Sequence, residues 1–306
     1  MLNDWGSFAP PGVAHQKMED KIGQHVRNLS NFGSEENVLK SLHELKVLIE
    51  SRAIEGERLV ALIPPGILFR RLASSNNDEI QICTVLLKKL FNFVKPELVI
   101  AEYEDAAVQG INHPSENVRE LCLAQVERCV QTNRGLMTVI QTSDLLNFVI
   151  RSLGDENMGC AKIACSVLVN VGKHHDGLRL LLDQSHQAEF EELIAKNDTV
   201  RFRVYELFVK IAQSDNEAFS QVQPLFHRMT GEINSDDVLV QMNCIELLTD
   251  IIGIGESGFN LPEQLGVNKK LYDILKSPES NLLSSLLIPG LYLLRLNPAI
   301  IRTEIK

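Results

Sequence analysis

The sequence predicts an all-α fold built as a solenoid of repeated helical units. Three observations predict it. Apolar residues at offsets 0, +4, +7, +8 and +11, one face of an α-helix, return every 38–40 residues. Each strong copy follows a cluster of turn-forming or helix-capping residues. No strong period-two alternation of the kind that marks strands competes with these copies.

Along the chain, Met1 to Met18, with its prolines and glycines, reads as an irregular leader. A weak first copy starts at Val38, with Leu42, Leu45 and Ile49. Strong copies follow at Cys83 (Leu87, Leu90, Phe91, Val94) and Cys122 (Val126, Cys129, Val130), where Asn133 breaks the last position. The next are Cys160 (Ala164, Val167, Leu168, Val171), Val200 (Val204, Leu207, Phe208, Ile211) and Val240 (Cys244, Leu247, Leu248, Ile251). A weak copy starts at Leu283, with Leu287, Leu291 and Leu294. The clusters before the strong copies are Ser74–Asp78, His113–Asn117, Gly154–Asn157, Asn197–Asp198 and Asn234–Asp237. Asn, Asp and Ser accept hydrogen bonds from unpaired N–H groups of a helix start, and carboxylates suit its positive dipole end. Second apolar segments precede most turns: Leu145–Ile150, Phe190–Ile194, Leu225–Met229 and Leu271–Leu275.

A helix–turn–helix unit of this period falls in the range of HEAT and armadillo repeats. Roughly seven units fit in a single solenoid over residues 19–306. Asn297 to Arg302 supplies no polar capping helix, so the array is expected to continue beyond this chain.

Repetition also accommodates the length. A single compact core rarely grows past about 250–300 residues, and the chain has 306. Its 44% hydrophobic and 23% charged residues are those of a core-forming soluble protein. A net charge of −10 argues against nucleic acid, which needs a basic footprint. No apolar run is long enough to span a membrane, and the first residues lack a secretory signal's apolar region. An intracellular, cytoplasmic location, with the nucleus also open to the protein, is expected. The six cysteines form no CxxC pair or zinc spacing, and five fall in the apolar register, as small buried hydrophobes do.

No catalytic constellation, cofactor motif or metal set is evident. Gly253-Ile254-Gly255-Glu256-Ser257-Gly258 has dinucleotide-loop spacing, but the helical register already covers the residues before it, where that motif needs a strand. Gly154 to Ala161 has phosphate-loop glycine spacing but lacks the lysine and hydroxyl, and it carries two carboxylates. His174-His175 cannot share one helix face, and a third ligand is missing. The protein is not expected to be an enzyme.

What remains is a surface. In such arrays the helix after the polar turn lines the concave side, and offsets +3, +6 and +10 look away from its core or along its margin. The partner-binding candidates at these offsets are Lys89, Arg128, Asn170, Arg203, Glu206, Lys210, Asn243, Glu246 and Asp250. The +6 row runs from basic (Lys89, Arg128) through Ser166 to acidic (Glu206, Glu246). Such a gradient sets register and on-rate for a charged partner.

Several strings carry a resemblance to a known family. They are Asn197-Asp198-Thr199-Val200-Arg201-Phe202-Arg203-Val204-Tyr205-Glu206-Leu207, then Thr230-Gly231-Glu232 through Glu246, Leu153–Asn157 with Ala161-Lys162, and Leu287-Ile288-Pro289-Gly290. In this order they resemble the 26S proteasome non-ATPase regulatory subunits that chaperone assembly of the base, most clearly from Ile111 to Leu296. The resemblance implies a HEAT/armadillo solenoid that binds the carboxy-terminal domain of a proteasomal ATPase subunit, with other base subunits as further partners. It implies a protein that holds this domain while the base is built and is absent from the finished particle. Met1 to Asp20 departs from the family pattern, and family members continue for further repeats. The alternative is an armadillo adapter gripping an extended peptide. Such grooves use a repeated Trp and Asn ladder, and the single tryptophan, Trp5, lies outside the array.

Overall fold

The computed structural model describes residues 11–270, apart from residues 32, 33, 52, 53, 55, 143 and 268. The weak copy at Leu283, the segment Leu271–Leu275, the end at Asn297–Arg302 and Trp5 lie outside the described residues. The chain divides into two compact units, Met1–Phe148 and Val149–Lys306. All regular structure among the described residues is helical.

The first unit holds α1 (Pro11–Ser30), α2 (Glu35–Glu50), α3 (Gly56–Leu62), α4 (Pro65–Arg71), α5 (Asn77–Phe91), α6 (Pro96–Glu102), α7 (Glu104–Ile111), α8 (Glu116–Cys129) and α9 (Asn133–Gln141). The chain leaves it within α10 (Leu145–Arg151). The second unit holds α11 (Met158–Gly172), α12 (His175–Leu181), α13 (Gln184–Lys196), α14 (Asp198–Ala212), α15 (Asn216–Gly231), α16 (Val238–Ile252) and α17 (Gly255–Gln264). The all-α HEAT/armadillo-type solenoid predicted from the period is the fold class observed. The irregular leader is corrected in part: residues 11–18 belong to α1, and Met1 to Pro10 lies outside the described residues. Pro11 is the first helical residue, where a missing N–H costs nothing.

The predicted register is the core. α5, α8, α11, α14 and α16 carry the strong copies, and Leu87, Val126, Ala164, Val204 and Cys244, all at offset +4, are fully buried. Among the described register positions only Val94 is half-buried. Four of the five predicted turns cap their helix with a side chain. Asn76 accepts from the N–H groups of Asp78 and Glu79, and Asn157 from Cys160. Asn197 accepts from Val200 at 2.9 Å, and Asp237 from Leu239 at 2.7 Å. Ser115 makes no such bond. Asn197→Ala and Asp237→Ala are each expected to cost about 1 kcal/mol in urea unfolding followed by circular dichroism. Ser115→Ala should stay within about 0.5 kcal/mol.

The two-helix unit is elaborated. After α2, α5, α8 and α11 a short helix (α3, α6, α9 and α12) intervenes before the second apolar helix. At the corner the backbones touch. A Cβ on Gly135 would sit 2.1 Å from the Cys129 carbonyl oxygen, one on Gly177 2.1 Å from that of Val171, and one on Gly258 2.0 Å from that of Ile251. These glycines are required by close approach.

Polar ties join successive repeats inside each unit. In the first, Ser115 N–H donates to His113 Nδ1, so His113 Nε2 carries the proton and donates to the Leu72 carbonyl at 2.9 Å. In the second, Lys196 Nζ donates to the Gly154 carbonyl at 3.0 Å.

Candidate functional site

The dinucleotide-like glycines end one helix and start another. Gly253 caps α16, and Gly255 turns the chain with φ 71° into α17. The residues ahead of them are helical, so the strand that a dinucleotide loop requires is replaced by α16. The phosphate-loop-like segment is the capped turn into α11, with Asp155 Oδ1 accepting from Asn157 N–H at 2.8 Å. His175 pairs with Glu217 at the surface, 3.3 Å away. Burial pushes the thiols of Cys83, Cys122 and Cys244 up to about 12 and that of Cys129 to about 11. These four and Cys160 are buried, and Cys165 alone is half-buried.

The surface candidates separate by unit. In the first, Lys89 pairs with Glu50 at 3.2 Å beside the half-exposed Phe93. Arg128 turns back on the fold: its guanidinium donates to the Phe91 carbonyl at 2.8 Å and to Gln125 Oε1 at 2.7 Å. It thus ties α8 to the C-terminal end of α5, where the negative end of the helix dipole favours a cation.

In the second unit Asn170, Arg203, Glu206 and Lys210 line one groove of about 520 Å³ between α11 and α14. Arg203 reaches from α14 to the turn before α11, donating to the Leu153 carbonyl at 2.8 Å and to the Asp155 carbonyl at 3.0 Å. Its other terminal nitrogen lies 3.6 Å from Met158 Sδ. Asn170 donates to the Ser166 carbonyl one turn earlier. Lys210 Nζ donates to Glu206 Oε1 at 2.6 Å. Burial works to lower the Lys210 ammonium, but the hydrogen bond and charge of Glu206 outweigh it and hold it above its ordinary value. Asp250, on α16, is pushed up by partial burial and by the Glu206 carboxylate, against the pull of Lys210. Asn243 and Glu246 are exposed on α16 outside the groove lining.

On the facing wall the offset rows reach Ser166 and Asn170 and miss the rest. Met158, Lys162, Cys165, Val169 and Lys173, spaced three or four residues apart along α11 and its C-cap, complete the groove. That spacing marks one helix flank and was visible in the sequence. Burial raises the Cys165 thiol, and the nearby Lys210 draws it partly back.

Comparison with known proteins agrees with the predicted resemblance. A family model described as "Proteasome non-ATPase 26S subunit" matches residues 18–300. The 26S proteasome non-ATPase regulatory subunit 5 of Bos taurus is 27% identical over 255 residues, covering 82% of this chain and 50% of that protein. The Homo sapiens protein of the same name is 25% identical over 267 residues, covering 87% and 52%. The chain therefore spans about half the length of the curated relatives it matches. Among solved structures, a crystal structure of an engineered protein aligns with TM-score 0.53 and 14% identity, over 90% of this chain and 67% of that one. This is a likeness of fold alone. Because the family model runs through every repeat described above, the chain belongs to the proteasome non-ATPase 26S subunit family.

Proposed function

We propose that this protein is a non-catalytic assembly chaperone of the proteasome regulatory particle. It binds the carboxy-terminal domain of a base ATPase through its repeat surface and holds it while the base is built. The observation that carries this reading is the family match over residues 18–300. Repeated helices suit the role, since they present side chains on a rigid, evenly spaced scaffold. Occupying one ATPase domain shields it from premature contacts in proportion to its affinity.

We assign the contact to the exposed Lys210, Asn243, Glu246 and Asp250 and the half-buried Glu206 in the second unit, and to the half-buried Lys89 in the first. Arg128, Asn170 and Arg203 hold the surface in shape through their carbonyl bonds. Calorimetry of the 306-residue chain with isolated carboxy-terminal domains of each base ATPase tests the reading. Saturable binding to at least one is expected, and no binding to any overturns it. Reversing Glu206 and Glu246 together to lysine is expected to weaken that binding about tenfold, the equivalent of about 1.4 kcal/mol. Helicity should be unchanged, because neither side chain is in the core: Glu246 is exposed and Glu206 is half-buried at the groove. Equal affinity would remove these residues from the contact.

A further inference from the structure

The groove between α11 and α14 has a chemistry of its own. Its floor is apolar and small: Ala161 is buried, and Cys165 and Val169 are half-buried. Met158 stands at one end, 52% exposed, with its sulfur against Arg203. Around this floor stand four cations, Lys162, Lys173, Arg203 and Lys210, against a single carboxylate, Glu206. Lys210 already engages that carboxylate. Arg203 spends hydrogen bonds on carbonyls, which leave its charge in place. Lys162 and Lys173 are exposed and take part in no ion pair among the described residues. A cationic rim around an apolar floor is notable in a chain of net charge −10.

We infer that this groove is a docking site for an extended acidic peptide segment of a partner protein, whose carboxylates meet Lys162 and Lys173 while its apolar side chains lie on Cys165, Val169 and Met158. Lys162 and Lys173 are eleven residues apart on α11 and its C-cap, about 16 Å along the axis. About five residues of extended chain cover that distance. The fitting segment therefore carries acidic residues about five apart with apolar residues between. Charge complementarity selects it over a basic segment. An apolar floor without aromatic stacking platforms, in an acidic protein, selects a peptide over nucleic acid. The inference needs no particular partner identity and stands or falls separately from the ATPase reading.

Fluorescence anisotropy on the 306-residue chain tests it. The probes are a fluorescein-labelled ten-residue peptide of aspartate, glutamate and leucine, its counterpart with lysine for the acids, and a ten-nucleotide oligothymidylate. The acidic peptide should bind saturably, more weakly as salt rises, and should slow maleimide labelling of Cys165. Lys162→Glu with Lys173→Glu should weaken it at least tenfold with helicity intact. Glu206→Lys with Glu246→Lys, expected to weaken an ATPase domain, should tighten the acidic peptide, so failures of the two readings are distinguishable. Unchanged affinity in the Lys162/Lys173 double variant, equal binding of the basic peptide, or equal binding of the oligonucleotide would each overturn the inference.

Discussion

Leu207→Asp is expected to lower the unfolding free energy by roughly 4–5 kcal/mol, because it buries an unpaired carboxylate. Leu207 sits at offset +7 of α14 with no solvent exposure. α14 packs on α11, α13, α15 and α16 at once, so its core is shared by several repeats of the second unit. Phe208, the next core residue, meets Phe190 of α13 edge-on with centroids 5.0 Å apart. In a stack of repeats each unit's stability depends on its neighbours, so the damage spreads beyond α14. Natural domains are stable by only about 5–15 kcal/mol, and the loss is a large part of that. Leu239→Asp is the control, since Leu239 is 68% exposed at the start of α16. That change should stay within about 0.5 kcal/mol. Urea unfolding monitored by circular dichroism measures both. Equal effects would show that the repeated register is not the core.

Gly177→Ala should destabilise by about 2 kcal/mol, against the usual rule that alanine improves a helix. The rule fails here because the new methyl would stand 2.1 Å from the Val171 carbonyl oxygen, a backbone atom that cannot rotate away. Gly231→Ala should do the opposite. Its Cβ would meet nothing within 4 Å, and a smaller unfolded-state entropy should raise stability by about 0.4–1 kcal/mol. A stabilised Gly177→Ala would mean that the corner between α11 and α12 is looser than described.

Much of the fold was legible because its cause is local. A helix packed on one side must place apolar residues three and four apart, and its first turn must find acceptors for its N–H groups. Both demands leave marks in the sequence: offset +4 is buried in every strong copy, and Asn76, Asn157, Asn197 and Asp237 all cap. The short helices α3, α6, α9 and α12 were not legible, since seven to nine residues are too few to display a period. The start of α1 was obscured by Pro11 and Gly12, which read as breakers although proline suits a first helical position.

The site was legible by halves. A groove between neighbouring helices is lined by opposite flanks. Offsets +3, +6 and +10 gave the α14 wall: Arg203, Glu206 and Lys210. On the α11 wall they reach Ser166 and Asn170, while Lys162, Cys165, Val169 and Lys173 stand at +2, +5, +9 and +13. The same rows therefore cover one wall and only part of the other. Arg128 shows a second limit. Its offset points outward, but the side chain is long enough to fold back onto the Phe91 carbonyl, a choice made by tertiary hydrogen bonding.

The proposal that this protein escorts a base ATPase during proteasome assembly is tested most directly by what it holds in the cell. The protein, purified through a small affinity tag from cells assembling proteasomes, should carry base ATPase subunits, identified by mass spectrometry. Core-particle subunits should be absent from the same preparation. Recovery without any base ATPase, or stoichiometric recovery with the completed 26S particle, would contradict the account.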